Sequence, residues 1–202
     1  DVYKRQVLLY HVERMNEESA NALLKVMEEP PEGVLFLLTA DSLAGVLPTI
    51  RSRCISFAVA PVSPEDCARY CTAQGVGAKD AALYSALFDG HIGTVLAAAR
   101  DEARREQVDR ALALAKAAAA RDSYAAAVLL AAYEKDKAGA SALLADFRAV
   151  AAAGLRDSPH SPVEGETARK ALGAADAAMQ QISAQVNPKI VLSVLAAKFR
   201  TF

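Results

Sequence analysis

The stretch NALLKVMEEPP occupies residues 21–31 and gives the strongest indication of how the N-terminal part of the chain folds. Apolar side chains in and just before it recur at the spacing of one helix face, at Ala20, Leu23, Leu24 and Met27. Asn16 is a suitable N-cap for this helix. Pro30 and Pro31 end it, because proline lacks the N–H that a continuing helix requires. The stretch therefore predicts an amphipathic helix over 16–29.

Short apolar runs lie on both sides of this helix. Val7–Tyr10 precedes it and Val34–Thr39 follows it, and the second, unbroken run predicts a parallel strand that is buried on both faces. A short helix is expected over 43–47, and Ile55–Val59 alternates like a further strand. The order strand, helix, strand, helix, strand is typical of an α/β sheet.

After Pro61 the chain changes character and becomes helical. Ser63 and Pro64 give an N-cap followed by a first-turn proline. Helices are predicted over 64–74, 80–89, 92–100, 101–120, 123–134, 137–156, 164–184 and 188–200, with a loop at 158–162. Arginines from Arg100 to Arg110 alternate with acidic residues, which predicts a solvated, salt-bridged helix face.

Composition argues against several functional classes. The 202 residues carry a formal net charge of -1, 6% aromatic residues and no Trp, so neither a global basic field nor a base-stacking platform is expected. Cys54, Cys67 and Cys71 lack the spacing of a zinc pair or a disulfide framework and indicate reduced thiols. No run of strongly apolar residues is long enough to predict a membrane span. The chain begins without Met or a signal pattern on a strand-like segment, which predicts an N-terminal truncation.

Two strings of residues carry a family resemblance. NALLKVMEEPP at 21–31 and LPTIRSRC at 47–54 occur in this order around the apolar strand that ends in Thr39. Together they resemble the AAA+ clamp-loader subunits of bacterial DNA polymerase III, of the gamma/tau and delta-prime types. The resemblance is strong over 7–60 and good in outline over 61–100. Beyond that it is limited to helical architecture and the stretch NPKIVL at 187–192.

The resemblance implies a fold of three parts. The first is an α/β partial AAA+ core at 1–60, formed by the C-terminal part of a parallel sheet. An all-α three-helix lid at 61–100 and an all-α collar domain for oligomerisation at 101–202 would follow. The phosphate-binding loop and any zinc module would belong to a preceding half, and no GxxxxGK[ST] occurs in the sequence. We therefore expect no metal or cofactor in this chain, and ATP with Mg²⁺ in the site of a neighbouring subunit.

The resemblance also implies roles for individual residues. Within its motif, Arg53 matches the arginine finger that points into a neighbour's ATP site, whereas its spacing alone favours a surface arginine that caps a loop. Ser52 is expected to shape the turn and Cys54 to pack as a small apolar side chain. Thr39 matches the sensor position of the family, with loop capping as the alternative. Lys25 would approach DNA or a partner, or be a solvated helix lysine.

Two nucleotide-handling sites, with three residues between them, differ from the family members that hydrolyse ATP. Those members end the strand with Asp-Glu, which hold Mg²⁺ and polarise the attacking water, whereas His11 and Val12 stand there in this chain. Valine cannot act as a base and neutral histidine is a poor ligand for Mg²⁺, although Glu13 lies one residue further on. Gly93 stands where those members carry an arginine that reaches the nucleotide phosphates.

The resemblance therefore favours the delta-prime type. Such a subunit does not hydrolyse ATP itself, completes a neighbour's ATP site, and helps to load the sliding clamp on primed DNA in the cytoplasm during replication. The implied partners are the gamma/tau and delta subunits, the sliding clamp, and DNA through the assembly, with no membrane. Two alternatives stay open: a gamma/tau-like ATPase, and a non-catalytic helical scaffold with a vestigial ATPase segment.

Overall fold

The computed structural model describes residues 5–60 and 62–202, and the chain divides into two compact units. We call residues 1–59 the N-terminal unit and residues 60–202 the helical unit. This boundary lies close to the end of the predicted core. The further division into a lid and a collar at residue 100 stays a prediction.

The N-terminal unit is built on one strand–helix–strand element. Strand β1 (Arg5–Leu9), helix α1 (Glu17–Glu28) and strand β2 (Val34–Leu38) follow one another along the chain. The two strands pair in parallel, with Arg5 opposite Val34 and Leu9 opposite Leu38. Asn16 caps α1 by accepting a hydrogen bond from the Ser19 N–H at 2.8 Å. The predicted α/β arrangement is therefore present as a two-stranded parallel sheet among the described residues.

A small apolar core holds this unit together. Its buried side chains come from the segment after β1, from α1 and from the segment after β2: Val12, Ala20, Leu23, Val46 and Ile50. The face of α1 that was predicted from apolar spacing is therefore the face that packs. Burial of large aliphatic side chains contributes roughly 1.5–3 kcal/mol each, so this core is modest.

Two strand predictions need correction. Residues 55–59 form no strand in the structure, and the apolar side chains that alternate there are 85%, 84% and 94% exposed at Ile55, Phe57 and Val59. Alternation specifies a strand only where a neighbouring strand can take up its hydrogen bonds, and no described residue pairs with this segment. The prediction that 34–39 is buried on both faces is also wrong, because β2 is only partly buried and Leu37 is exposed.

The connection between β2 and Arg53 also differs from the prediction. Instead of a helix over 43–47, a single 3₁₀ turn covers Leu43–Gly45. Helix α2 (Pro48–Arg51) follows, with Pro48 at its first position. Proline fixes the backbone angle φ near the helical value, and this favours a helical turn at a point where apolar periodicity gives no signal. The helical turn in the motif at 47–54 is therefore confined to Pro48–Arg51, and the predicted helix over 43–47 is wrong.

The helical unit contains eight α-helices among the described residues. They are α3 (Pro64–Ala73), α4 (Ala78–Leu87), α5 (Ile92–Arg100), α6 (Glu102–Ala119), α7 (Ser123–Ala131), α8 (Lys137–Leu155), α9 (Gly165–Ser183) and α10 (Pro188–Lys198). Every predicted helix of this unit is present, with ends shifted by a few residues. The predicted loop at 158–162 separates α8 from α9.

Local capping explains why the helix starts were predictable. Side-chain oxygens at five N-caps accept backbone N–H bonds in the following turn: Ser63, Asp101, Asp122, Asp136 and Asn187. These short polar side chains satisfy donors that a helix start leaves unpaired, and each contributes about 1 kcal/mol. The signal is local in sequence, so tertiary contacts are not needed to read it.

Helix α8 lies at the centre of the core of the helical unit. Its Leu143, Leu144 and Phe147 are almost fully buried, and the Phe147 ring stacks on Phe199 with ring centroids 5.8 Å apart. Many of the other buried residues are alanines of α6 and α9, including Ala111, Ala115, Ala118, Ala168, Ala171 and Ala175. Small side chains such as these allow helix backbones to approach closely.

Helix α8 is also the one described helix that is long and apolar enough to cross a membrane by length and composition. Half of that window is buried inside the protein, where Phe147 and Val150 belong to the core. The helix also carries Asp146, which pairs with Arg104. The apolar residues of α8 are therefore those of a core helix.

The charged face of α6 is only partly as predicted. Arg110 forms the expected pair with Glu106 one turn away, at 3.5 Å. Arg104 instead turns inward and makes a two-pronged ion pair with the buried Asp146 of α8, while its guanidinium lies 5.5 Å from the centroid of the Phe88 ring. The prediction of a uniformly solvated face is wrong at Arg104, because a long arginine side chain can reach a carboxylate on a neighbouring helix.

Two glycines, one in the turn between α4 and α5 and one in the first turn of α5, differ in the space around their Cα atoms. Gly90 has φ +73°, and a Cβ there would lie 1.8 Å from the carbonyl oxygen of Val62. Gly93 lies in the first turn of α5, and a Cβ there would meet nothing within 4 Å. We expect Gly90→Ala to lower the free energy of unfolding by about 2–4 kcal/mol, because backbone strain and a backbone clash add.

Gly93→Ala is the matched control for this substitution. It should leave stability unchanged or raise it by up to about 1 kcal/mol, because alanine reduces the freedom of the unfolded chain and favours a helix. Urea unfolding followed by far-UV circular dichroism measures both variants. Equal stability of the two would contradict the close approach of Gly90 to Val62.

Candidate functional site

The carboxyl ends of the two parallel strands form the first cluster of predicted site residues. Thr39 follows β2, and its N–H donates to the Leu9 carbonyl at 2.9 Å. Its own carbonyl accepts from the Val12 N–H at 3.0 Å, and its Oγ1 accepts from the His11 N–H at 3.3 Å. Thr39 therefore fixes the chain after β1 to the end of β2. This is the edge at which parallel sheets place ligands.

A cluster of titratable side chains surrounds this edge. His11 has the left-handed angle φ 55°, and its Nδ1 lies 3.3 Å from Glu13 Oε1 and 3.5 Å from Asp41 Oδ2. Arg14 lies 3.6 Å from the Glu13 carboxylate and 3.8 Å from that of Asp41. The second oxygen of Glu13 is buried without a hydrogen-bond partner among the described residues.

Opposing effects act on the Glu13 carboxyl. Burial acts to raise its pKa, but hydrogen bonds from its own backbone N–H and from His11, together with the charges of His11 and Arg14, outweigh this effect. The pKa of Glu13 therefore lies below its ordinary value, and the group is a carboxylate at neutral pH. A carboxylate that is already held by His11 and Arg14 is less free to act as a base.

The same cluster contains side chains of the types that bind divalent cations. The ligand atoms of His11, Glu13 and Asp41 all lie within 4.8 Å of one another. Arg14 already supplies positive charge to both carboxylates. Val12 supplies no ligand, since it is buried in the small apolar core. The absence of a resident metal stays a prediction from the sequence.

Arg53 and Glu28 form a second cluster, at the C-terminal end of α1. Arg53 Nη1 donates to the Thr49 carbonyl of α2 at 3.0 Å and lies 3.4 Å from Ser52 Oγ. Arg53 Nη2 donates to Glu28 Oε1 at 2.5 Å. The guanidinium is therefore fixed on one side by the α2 turn and faces a carboxylate on the other.

The residues on either side of Arg53 have structural contacts. Ser52 Oγ donates to the same Thr49 carbonyl at 3.0 Å and so closes the turn. Cys54 is partly buried against the small core, and this burial raises the pKa of its thiol. A thiol with a raised pKa is a weak nucleophile at neutral pH. Ser52 thus closes the turn and Cys54 packs against the small core, and any part that they play in a functional site stays a prediction.

The predicted site residues thus fall into separate places. Thr39 binds His11 at the strand ends, whereas Arg53 binds Glu28 at the end of α1. Gly93 belongs to the helical unit, where it is exposed at the start of α5. Lys25 is exposed on α1.

Sequence reasoning missed Glu28 and Asp41 as members of these clusters. Glu28 was visible only as one of two adjacent glutamates before Pro30, and nothing in the spacing distinguishes it from Glu29. Asp41 lies in a turn whose path depends on tertiary contacts. Glu13 was noted next to Val12, and the structure adds that it contacts His11 and Arg14.

Comparisons with known proteins agree with the sequence motifs. The family described as "DNA polymerase III, delta subunit" matches residues 3–63. The DNA polymerase III subunit delta' of Yersinia pestis is 52% identical over 48 residues, which are 24% of this chain and 14% of the relative. That of Haemophilus influenzae is 54% identical over 48 residues, 24% of this chain and 15% of the relative.

Relatives of the gamma type are also present. The DNA polymerase III subunit gamma of Buchnera aphidicola from Schizaphis graminum is 41% identical over 59 residues, which are 29% of this chain and 16% of the relative. The aligned segment thus spans only about a sixth of these curated relatives.

One solved structure extends the comparison to the whole chain. A DNA polymerase III gamma subunit-related protein of Thermotoga maritima matches with a TM-score of 0.58 and 21% identity, covering 100% of this chain and 74% of that protein. At this identity the likeness shows a shared fold alone. Residues 3–63, which contain the motifs at 21–31 and 47–54, are therefore similar in sequence to DNA polymerase III subunits of the delta' and gamma types.

Proposed function

We propose that the protein is a delta'-type clamp-loader subunit that does not hydrolyse ATP and that supplies Arg53 to the ATP site of a neighbouring subunit. The observation that carries this proposal is the setting of Arg53. Its guanidinium is fixed by the α2 turn and directs Nη2 at an exposed carboxylate oxygen. An oxygen of a neighbour's ATP could occupy the same position, because guanidinium binds carboxylate and phosphate with the same fork geometry.

Two further features support a subunit without its own hydrolysis. Val12 is buried in the small core and offers neither a base nor a ligand. Gly93 leaves open space at the start of α5 and presents no charge to a nucleotide. In this proposal ATP and Mg²⁺ are bound by the neighbour, and this chain binds no cofactor of its own.

The proposed partners are those of a clamp loader. They are the gamma/tau and delta subunits, the sliding clamp, and primed DNA held by the assembly as a whole. The near-neutral net charge of -1 fits a subunit that does not bind DNA through a global basic field. The proposed place of action is the cytoplasm, during DNA replication.

A gamma/tau-like ATPase is a second candidate because of one observation. Glu13 places a carboxylate at the carboxyl edge of the sheet, with a pKa below its ordinary value. If Glu13 rather than Val12 took the catalytic position, the chain would carry a general base. Its contacts with His11 and Arg14 argue for a structural ion cluster instead.

ATP turnover separates the two candidates. The protein should turn over no ATP by itself, and it should raise the DNA-dependent turnover of a DNA polymerase III gamma subunit by at least about 10-fold when clamp and primed DNA are present. Turnover by the protein alone would favour the gamma/tau-like candidate. Equal turnover by gamma with and without the protein would contradict a contribution in trans.

A further inference from the structure

The contact between Arg53 and Glu28 joins two parts of the N-terminal unit that are far apart in sequence. Arg53 Nη2 donates to Glu28 Oε1 at 2.5 Å, and the side chains are 35% and 52% exposed. Glu28 is the last residue of α1, and Arg53 follows the α2 turn. The ion pair is therefore open to solvent and to an approaching partner.

Glu28 is unfavourably placed for the stability of its own helix. The C-terminal end of a helix carries partial negative charge, so an acidic side chain there is repelled. Arg53 is the basic group that meets this carboxylate among the described residues. The position of Glu28 is therefore not explained by helix stability, and removal of its charge should not unfold α1.

We propose that Glu28 holds Arg53 within this chain and is exchanged for a phosphate oxygen when a neighbouring ATP site is occupied. This inference rests on the proposed function of Arg53. The Glu28 carboxylate occupies the Nη2 side of the guanidinium that a phosphate would bind, and so competes with it. Until the exchange occurs, Arg53 stays paired with Glu28 of its own subunit.

The exchange requires only a small structural change. Nη1 keeps its bond to the Thr49 carbonyl, so the side chain needs no new backbone support when Nη2 changes its partner. ATP carries more negative charge than one carboxylate and offers several oxygens to a guanidinium, so it displaces Glu28. An exposed ion pair is weak. We therefore expect the competition from Glu28 to raise the dissociation constant of the wild type by no more than about five-fold.

Glu28→Gln tests this competition, with Glu29→Gln as the matched control. Glu29 is the exposed neighbour of Glu28 and forms no ion pair among the described residues. The protein is titrated into a DNA polymerase III gamma subunit loaded with a non-hydrolysable ATP analogue, and the dissociation constant is measured. Glu28→Gln should bind about two- to five-fold more tightly than wild type, and Glu29→Gln should equal wild type.

Salt and a double variant complete the test. The advantage of Glu28→Gln should shrink in high salt, because salt screens an exposed pair in the wild type. In an Arg53→Ala background, Glu28→Gln should have no effect on binding. Weaker or unchanged binding of Glu28→Gln would overturn the competition. Weaker binding of Arg53→Ala than of wild type would support the proposed function whatever Glu28→Gln does, so the two ideas fail separately.

Discussion

Arg53→Ala is expected to abolish the stimulation of a neighbouring subunit's ATP turnover that we propose for this protein. Arginine fingers supplied in trans raise phosphoryl-transfer rates by roughly 10³–10⁵, because they stabilise charge that develops on the transferring group. The variant should therefore lose about 10³-fold in rate at the site it faces. Single-turnover hydrolysis in the reconstituted complex, with clamp and primed DNA, measures this rate.

Two further variants show which property of Arg53 matters. Arg53→Lys keeps the charge but loses the planar fork, so it should recover little of the rate. Arg51→Ala removes an exposed arginine from the same helical turn and should leave the rate unchanged. A wild-type rate for Arg53→Ala, or an equal loss in Arg51→Ala, would contradict the assignment of the finger to Arg53.

Asp146→Ala is expected to destabilise the helical unit by about 2–4 kcal/mol. Asp146 is only 6% exposed in its side chain and accepts from both terminal nitrogens of Arg104, with Nη2 to Oδ1 at 2.6 Å. The hydrogen bond to Asp146 raises the pKa of Arg104 above its ordinary value, although burial opposes this. Removal of one partner leaves a largely buried charge uncompensated, which is the costly case.

An exposed pair of the same chemistry is the control. Arg148 Nε donates to Asp176 Oδ1, also at 2.6 Å, but these side chains are 51% and 52% exposed. Asp176→Ala should therefore cost less than about 1 kcal/mol. Both substitutions replace Asp by Ala within a helix, so the difference in helix propensity cancels. Urea unfolding of both variants measures the contrast, and equal losses would contradict the role of burial.

A double variant separates the ion pair from the packing. Replacement of Arg104 by Met together with Asp146 by Leu removes both charges while it keeps apolar volume. It should recover most of the stability lost in Asp146→Ala, because no unpaired charge remains in the core. Failure to recover would contradict the unpaired charge as the cause of the loss in Asp146→Ala.

The helices of the helical unit were predictable because their signals are local. Capping residues such as Asp101 and Asp136 and the first-turn prolines Pro64 and Pro188 act within one helical turn. Strand 55–59 was predicted wrongly, since a strand exists only where another strand pairs with it. The alternating residues Ile55, Phe57 and Val59 carry no information on that partner.

The candidate site was predictable in part. The motif at 47–54 pointed to Arg53, and the structure adds its fixation by Thr49. The partner Glu28 was not predictable, because its contact joins residues 25 positions apart. Arg104 was assigned to a solvated face for the same reason, since its partner Asp146 lies 42 positions away.

The sequence by itself determined the family resemblance of the N-terminal segment, the order of the helices in the helical unit and the identity of the residue that we propose as a finger. These follow from local spacing, capping and motif strings, which do not depend on distant contacts. Only the tertiary structure decided which charges meet. Glu28 faces Arg53, Asp146 faces Arg104, and Glu13 turns to His11 and Arg14. Charge pairing depends on distances of a few ångström between side chains, and those distances are set by how the elements pack.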